Sequence, residues 1–113
     1  MRPAPPYRVN LGGEGEVPGV LNQQGPWVLK PGWASSLTGQ SLAQLVAAGH
    51  EFLICDNRTV PLPDGCADEV LTNSVPIDVV TWLGPGVQSS EVRRILKSGG
   101  VWVRDGSPYY TKP

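Results

Sequence analysis

Histidine is nearly absent from this chain: His50 stands alone, and with no CxxC pair and no HxxxH spacing the ligand sets of a structural zinc site are missing. No run reaches the ~18 consecutive apolar residues of a membrane-spanning helix, and the proline-rich start is no signal peptide. The chain reads as soluble. There is also no excess of positive charge. A formal net charge of −1 gives no basic footprint, so wholesale duplex binding through phosphate neutralisation is not expected, and nucleic acid is not indicated as a partner. Arg93, Arg94 and Lys97 do cluster, and that trio reads as the wet face of a helix.

What is present bounds the answer further. The 113 residues leave room for one domain with one modest core. A 40% apolar share is too high for a disordered chain, so it should fold. Fourteen glycines and 12 prolines punctuate it so often that elements must be short and loops plentiful. Residues 1–6, Met1-Arg2-Pro3-Ala4-Pro5-Pro6, look like a linker, as if a domain had been excised from a larger protein, and residues 7–113 read as that single domain. Cys55 and Cys66 flank the turn-like Pro61-Leu62-Pro63-Asp64-Gly65; spacing alone leaves a disulfide open, with two thiols the expected state.

Periodicity predicts strands at Tyr7 to Leu11, Val20 to Asn22, Glu51 to Cys55, Asp68 to Asn73, Val101 to Val103 and, last, around Tyr109-Tyr110. Ser41 to Ala48 carries Leu42, Leu45 and Val46 at helical spacing, with Ser41 as cap and Gly49 as stop. Val87 to Lys97 is a second amphipathic helix, closed by Gly99-Gly100. Between Gly25 and Gly39 a loop is expected, holding Trp27 and Trp33. Strands alternating with crossovers predict a mostly parallel α/β sheet of five or six short strands, in which ligands settle beyond the strands' carboxyl ends.

The residues just after those strands resemble a small class I methyltransferase domain dependent on S-adenosylmethionine. Asn10-Leu11-Gly12-Gly13-Glu14-Gly15, followed by Val20-Leu21-Asn22, resembles that family's first motif with its first helix nearly lost. Asp56, Pro61-Leu62-Pro63-Asp64 and Asp68-Glu69-Val70 resemble the stretch in which an acidic residue meets the adenine and a turn leads into the fourth strand. Asn73-Ser74-Val75 matches the position after that strand. Val92-Arg93-Arg94-Ile95-Leu96-Lys97-Ser98-Gly99-Gly100 resembles the closing "RVLKPGG", with Ser98 in place of proline. The four pieces span residues 7–106 in family order, and together imply a minimal Rossmann-like, three-layer fold.

The resemblance implies a cofactor site for S-adenosylmethionine made by Asn10, Gly12, Gly13, Gly15, Gln24, Asp56, Asn57 and Asn73. Glycines there remove side chains where a cofactor would lie against the main chain. Asp56 would accept from the adenine amino group or else cap the turn before Asn57; Asn10 would hold the glycine loop or reach the methionine portion, or simply face the loop. The family commonly grips both ribose hydroxyls with an acidic residue after its second strand. Gln23 and Gln24 stand there instead, and an amide binds a hydroxyl less strongly than a carboxylate.

Methyl transfer asks mainly for alignment of the reacting groups. The candidate catalytic residues are Asn73, to bond an acceptor amine, and Asp78, to take a proton; the competing roles are a strand-end cap and the start of a helical turn. The acceptor is unidentified, because Asn73-Ser74-Val75-Pro76 is not the Asn-Pro-Pro-aromatic signature of amino-methylation. Trp27, Trp33 and Trp82 either stack on a planar acceptor or fill the core. The linker-like start also resembles the way carboxyl-terminal toxin domains of RHS-type polymorphic toxins follow a repeat shell in secreted bacterial proteins. That implies delivery into the cytoplasm of a rival cell and a cognate immunity protein as partner. The alternatives are a Rossmann-like interaction or effector domain without cofactor, and a domain holding NAD, which the lack of GxGxxG followed by a full helix disfavours.

Overall fold

The structure, a computed structural model, describes residues 8–12, 19–35, 38–55, 59–78, 80–81, 84–85 and 87–113. Six strands form the main sheet: β1 (Arg8–Leu11), β2 (Leu21–Gln24), β3 (Glu51–Ile54), β4 (Ala67–Thr72), β7 (Leu96–Arg104) and β8 (Ser107–Thr111). They lie in the order β3-β2-β1-β4-β7-β8, parallel throughout except for the β7–β8 pair. Between β4 and β7 the two-residue strands β5 (Val80–Thr81) and β6 (Gly84–Pro85) pair antiparallel. Among the described residues two α-helices occur, α1 (Leu42–Ala47) and α2 (Ser89–Ile95), with a 3-10 turn at Pro26–Leu29 inside the expected loop. This is a small α/β domain with a mostly parallel sheet.

The first helix follows its sequence signal closely. Ser41 accepts from the Gln44 N–H while the Gln44 side chain accepts from the Ser41 N–H, a reciprocal cap that satisfies two otherwise orphaned donors. Leu45 is fully buried, but Val46 is 54% exposed, so the apolar stripe is narrower than the sequence suggests.

The second helix departs from expectation. It stops at Ile95, and Leu96 turns extended (φ −68, ψ 135) to begin β7. Leu96 is fully buried and pairs with Ala67; the partner of Glu69 is already Val101, so residues 97–100 form a long bulge opposite Asp68. Gly99-Gly100 therefore lies inside a strand and does not close a helix. Gly100 is needed for close packing: a Cβ there would stand 2.9 Å from the Lys97 carbonyl oxygen and 3.1 Å from that of Ala67. Lys97 pairs with Asp68 across the bulge, and the Lys112 ammonium donates to the carbonyls of Arg93 and Leu96, where a helix's unspent carbonyls attract a cation.

At the far side β7 returns as β8 through Asp105-Gly106, with φ of 50° and 81°. Positive φ at both positions makes the tight turn that matches strand twist, and Asp-Gly is its favoured sequence. Tyr109 is an extra residue in β8, since Trp102 pairs with Tyr110 and Val103 with Pro108.

Registered partners share a sheet face. Val9, Leu11, Leu21, Val70 and Trp102 lie on one face and join Val92 and Ile95 of α2, together with Val60, Leu62 and Leu96, in the main core. Each such side chain contributes about 1.5–3 kcal/mol on full burial. The opposite face carries Arg8 bonded to Glu69 and the fully buried Asn10 and Asn22. Cys55 and Cys66 remain thiols, both half-buried.

Candidate functional site

The chain passes from β1 outward to β2 and β3, then crosses back to place β4 on the other side of β1. That reversal is a switch point in the strand order, and in parallel α/β sheets such a point is where a ligand is expected, beyond the carboxyl ends of β1 and β4.

Gly12 follows β1 directly. It is buried, has φ 61°, and its N–H donates to the Gln23 carbonyl at 3.1 Å. A side chain at that φ would strain the backbone where it leaves the sheet. On the far side of β2, the Cys55 N–H donates to the Gln24 carbonyl at 3.0 Å. The exits of β1 and β3 thus flank the end of β2, about 10 Å apart by the spacing of neighbouring strands. Gly13, Gly15, Asp56 and Asn57, all expected cofactor contacts, lie outside the described residues, as do Trp82 and the expected first strand's Tyr7.

Gln23 is the residue that sequence reasoning passed over in favour of its neighbour. Only 1% exposed, it shares a sheet face with Leu11 and Leu53, and its Nε2 donates to the Cys55 carbonyl at 2.6 Å. Its Oε1 is buried with no hydrogen-bond partner. An unmade bond of this kind costs about 1–3 kcal/mol, and such exceptions call for an explanation. A paired run of two glutamines at the end of a strand was the available signal; which of them turns toward the core follows only from the register. Gln24 lies on the other face, 8% exposed, with Asn10 and Asn22. Asn10 is held in β1, its Nδ2 donating to Asn22 Oδ1 at 3.0 Å, and Asn22 in turn donates to the carbonyls of Val20 and Glu51.

Asn73, half-buried, leaves β4 at the same edge. The residues around it are pinned to the β7–β8 turn: the Asp105 N–H donates to the Thr72 carbonyl at 2.9 Å, and the Ser74 N–H to Asp105 Oδ1 at 2.7 Å. Ser74 takes φ 52° in doing so. Asn73 follows Leu71, the partner of Asn10, by the same two residues by which Gly12 follows Asn10.

Asp78 has a definite structural task. Its carboxylate accepts from the Ser89 N–H at 2.7 Å and from the Ser89 hydroxyl at 2.6 Å, satisfying an orphan donor in the first turn of α2. Those bonds, the hydroxyl first and the backbone second, hold its pKa below the ordinary carboxylate value, with a smaller push the same way from the Arg93 charge and against the cost of burial. Since α2 leads back to Leu96 opposite Ala67, at the amino end of β4, the Asp78 end of α2 lies toward the carboxyl edge. Asn10, Gly12, Gln23, Gln24 and Asn73 thus lie in or directly after three adjacent strands, β2, β1 and β4, while Asp78 is held at the start of α2.

The Arg93-Arg94-Lys97 trio is not merely a wet face. Arg94 donates to Glu91, to Asp64 and to the carbonyls of Val60 and Leu62, strapping α2 to the β3–β4 connection. The Val60 N–H completes the strap by donating to Glu91 Oε1 at 2.7 Å. Among the described residues no three His, Cys, Asp or Glu side chains gather as a metal would need. No protein-family model, curated protein or solved structure matches the chain.

Proposed function

We propose that the carboxyl edge of β2, β1 and β4 binds a nucleoside, and that the chain is a minimal Rossmann-like methyltransferase domain using S-adenosylmethionine. The observation that carries this is the Gln23 amide. Its nitrogen is committed to the Cys55 carbonyl, so its buried oxygen is left as a fixed acceptor between the exits of β1 and β3. A ribose hydroxyl or an adenine amino group has the donor that this oxygen lacks. The order β3-β2-β1-β4-β7 supports the same conclusion, being that of a doubly wound nucleotide-binding sheet. Right-handed crossovers running in opposite directions would set α1 and α2 on opposite faces, giving three layers.

In this proposal Gly12, with Gly13 and Gly15, lets the cofactor lie against the main chain, and Asp56 and Asn57 meet its base. Gln23 and Gln24 take the place of the usual ribose-gripping carboxylate, and Asn10 holds the glycine loop from below. S-adenosylmethionine supplies an activated methyl group. Asn73 orients the acceptor, and Asp78 takes the acceptor's proton once the acceptor displaces one of its two bonds to Ser89, bonds that otherwise make it a weaker base than a free carboxylate.

The amides at 23 and 24 also favour a second proposal, in which the fold is retained in a toxin-like effector that transfers nothing and is restrained by an immunity protein. Isothermal calorimetry and thermal shift with S-adenosylmethionine, and with NAD in parallel, separate the two. Binding at 100 times Kd stabilises by about 2.7 kcal/mol, a readily measured rise in Tm. No heat and no shift at millimolar S-adenosylmethionine removes the methyltransferase; a response to NAD alone reassigns the site.

A further inference from the structure

Among the described residues several charged side chains are spent on one another. Arg8 is paired with Glu69, Arg94 with Glu91 and Asp64, and Lys97 with Asp68, while Lys112 caps α2. Two guanidiniums are used differently. Arg93 lies over the Tyr110 ring at 5.1 Å from its centroid, and Arg104 over the Tyr109 ring at 5.2 Å. Neither makes a hydrogen bond or an ion pair among the described residues; Asp78 feels the charge of Arg93 only at a distance, its own oxygens being bonded to Ser89.

The two rings are consecutive, and the bulge in β8 sets both opposite Trp102. Trp102 meets Tyr109 edge to face, with centroids 4.9 Å apart, and is itself fixed by its bond to Thr72. The result is a row Arg93, Tyr110, Tyr109, Arg104 on a rigid base. Tyr109 is 55% exposed, although it is one of the larger apolar surfaces in the domain. Cation–π contact orients a guanidinium without consuming its N–H donors. Two oriented cations bracketing a pair of adjacent aromatic rings offer two phosphate contacts with stacking area between them, the combination that single strands use.

We propose that this row binds single-stranded nucleic acid, with Arg93 and Arg104 on phosphates and Tyr109 offering stacking area to a base. The net charge of −1 gives no footprint for broad duplex binding and does not bear on a local strip of this size. None of the four residues belongs to β1, β2 or β4, the strands of the nucleoside site, although Arg104 pairs with Thr72 and so lies beside the strand end that leads to Asn73.

The test is fluorescence anisotropy with a labelled oligothymidylate, its duplex, a phosphotyrosine peptide and inorganic polyphosphate, each over a range of salt. The single strand should bind most tightly at low salt. Arg93→Gln with Arg104→Gln should weaken it about tenfold and reduce the log–log salt slope by about 1.4, the value for two phosphates on a single strand. Equal binding of polyphosphate or the phosphopeptide, no binding at low salt, or an unchanged double variant overturns the proposal. Should the double variant fail to fold by circular dichroism, photo-crosslinking of a 4-thiothymidine strand to the unaltered protein decides: adducts within residues 104–110 support the strip, and adducts confined elsewhere refute it.

Discussion

The indole N–H of Trp102 donates to the Thr72 hydroxyl at 2.8 Å, joining the largest buried side chain of β7 to the last residue of β4. One bond therefore both satisfies a buried donor and fixes the strand end from which Asn73 emerges. Thr72→Val removes the acceptor with little change of shape and should cost about 1–3 kcal/mol. Thr72→Ser should restore most of it. Urea denaturation measures both, and equal stability of the valine variant and the unaltered protein would contradict the assignment.

Gly100→Ala should destabilise by about 1–3 kcal/mol, because the added methyl meets two backbone oxygens that cannot swing aside. The loss should appear in the denaturation midpoint with the m-value unchanged.

Acid should loosen the strap between α2 and the β3–β4 connection. The Arg94 guanidinium, through its hydrogen bond first, and the Val60 N–H hold the Glu91 pKa below its ordinary value, against the cost of burial. A depressed folded pKa means stability that is present above the unfolded value of about 4.3 and is lost as pH falls through the lower folded value. Glu91→Gln should therefore be less stable at neutral pH and show a flatter loss in the acid range. Tm followed from pH 7 to pH 2 tests this.

Asp78→Ala should weaken α2 by about 0.5–2 kcal/mol, the usual cost of removing a side chain that receives a first-turn N–H. Asp78→Asn keeps an acceptor and tolerates the φ of 58°, so it should lose less. Far-ultraviolet circular dichroism during thermal melting ranks the three. If methyl transfer is found, the asparagine variant should lose activity with its fold intact.

Gln23→Met removes the buried oxygen while keeping an apolar chain of similar length. Binding of S-adenosylmethionine, read as the ligand-induced rise in Tm, should vanish, whereas the ligand-free protein should change little, since an unpartnered acceptor and a hydrogen bond are lost together.

Much of this architecture can be read directly from residue order. Ser41 and Gln44 announce α1, and the runs Glu51 to Cys55 and Asp68 to Asn73 mark β3 and β4 to within a residue or so. The end of α2 could not be read, because Leu96-Lys97-Ser98-Gly99-Gly100 satisfies a helix stop as well as it satisfies a bulged strand; the choice is made by Ala67, far away in sequence. Arg94 looked like a surface cation for the same reason: the carbonyls it binds at Val60 and Leu62 come from a separate loop. At the candidate site, strand ends and glycines were visible, but the division of Gln23 and Gln24 between two faces depends on pairing with Leu11 and Asn10.

β8 also governs how this domain meets other copies of itself. As the last strand of the sheet it would normally offer a row of amide and carbonyl groups to any neighbouring chain. Pro108 has no N–H to give, and the extra residue at Tyr109 throws the remaining groups out of step. A strand arriving from a second molecule would find an interrupted template along this rim.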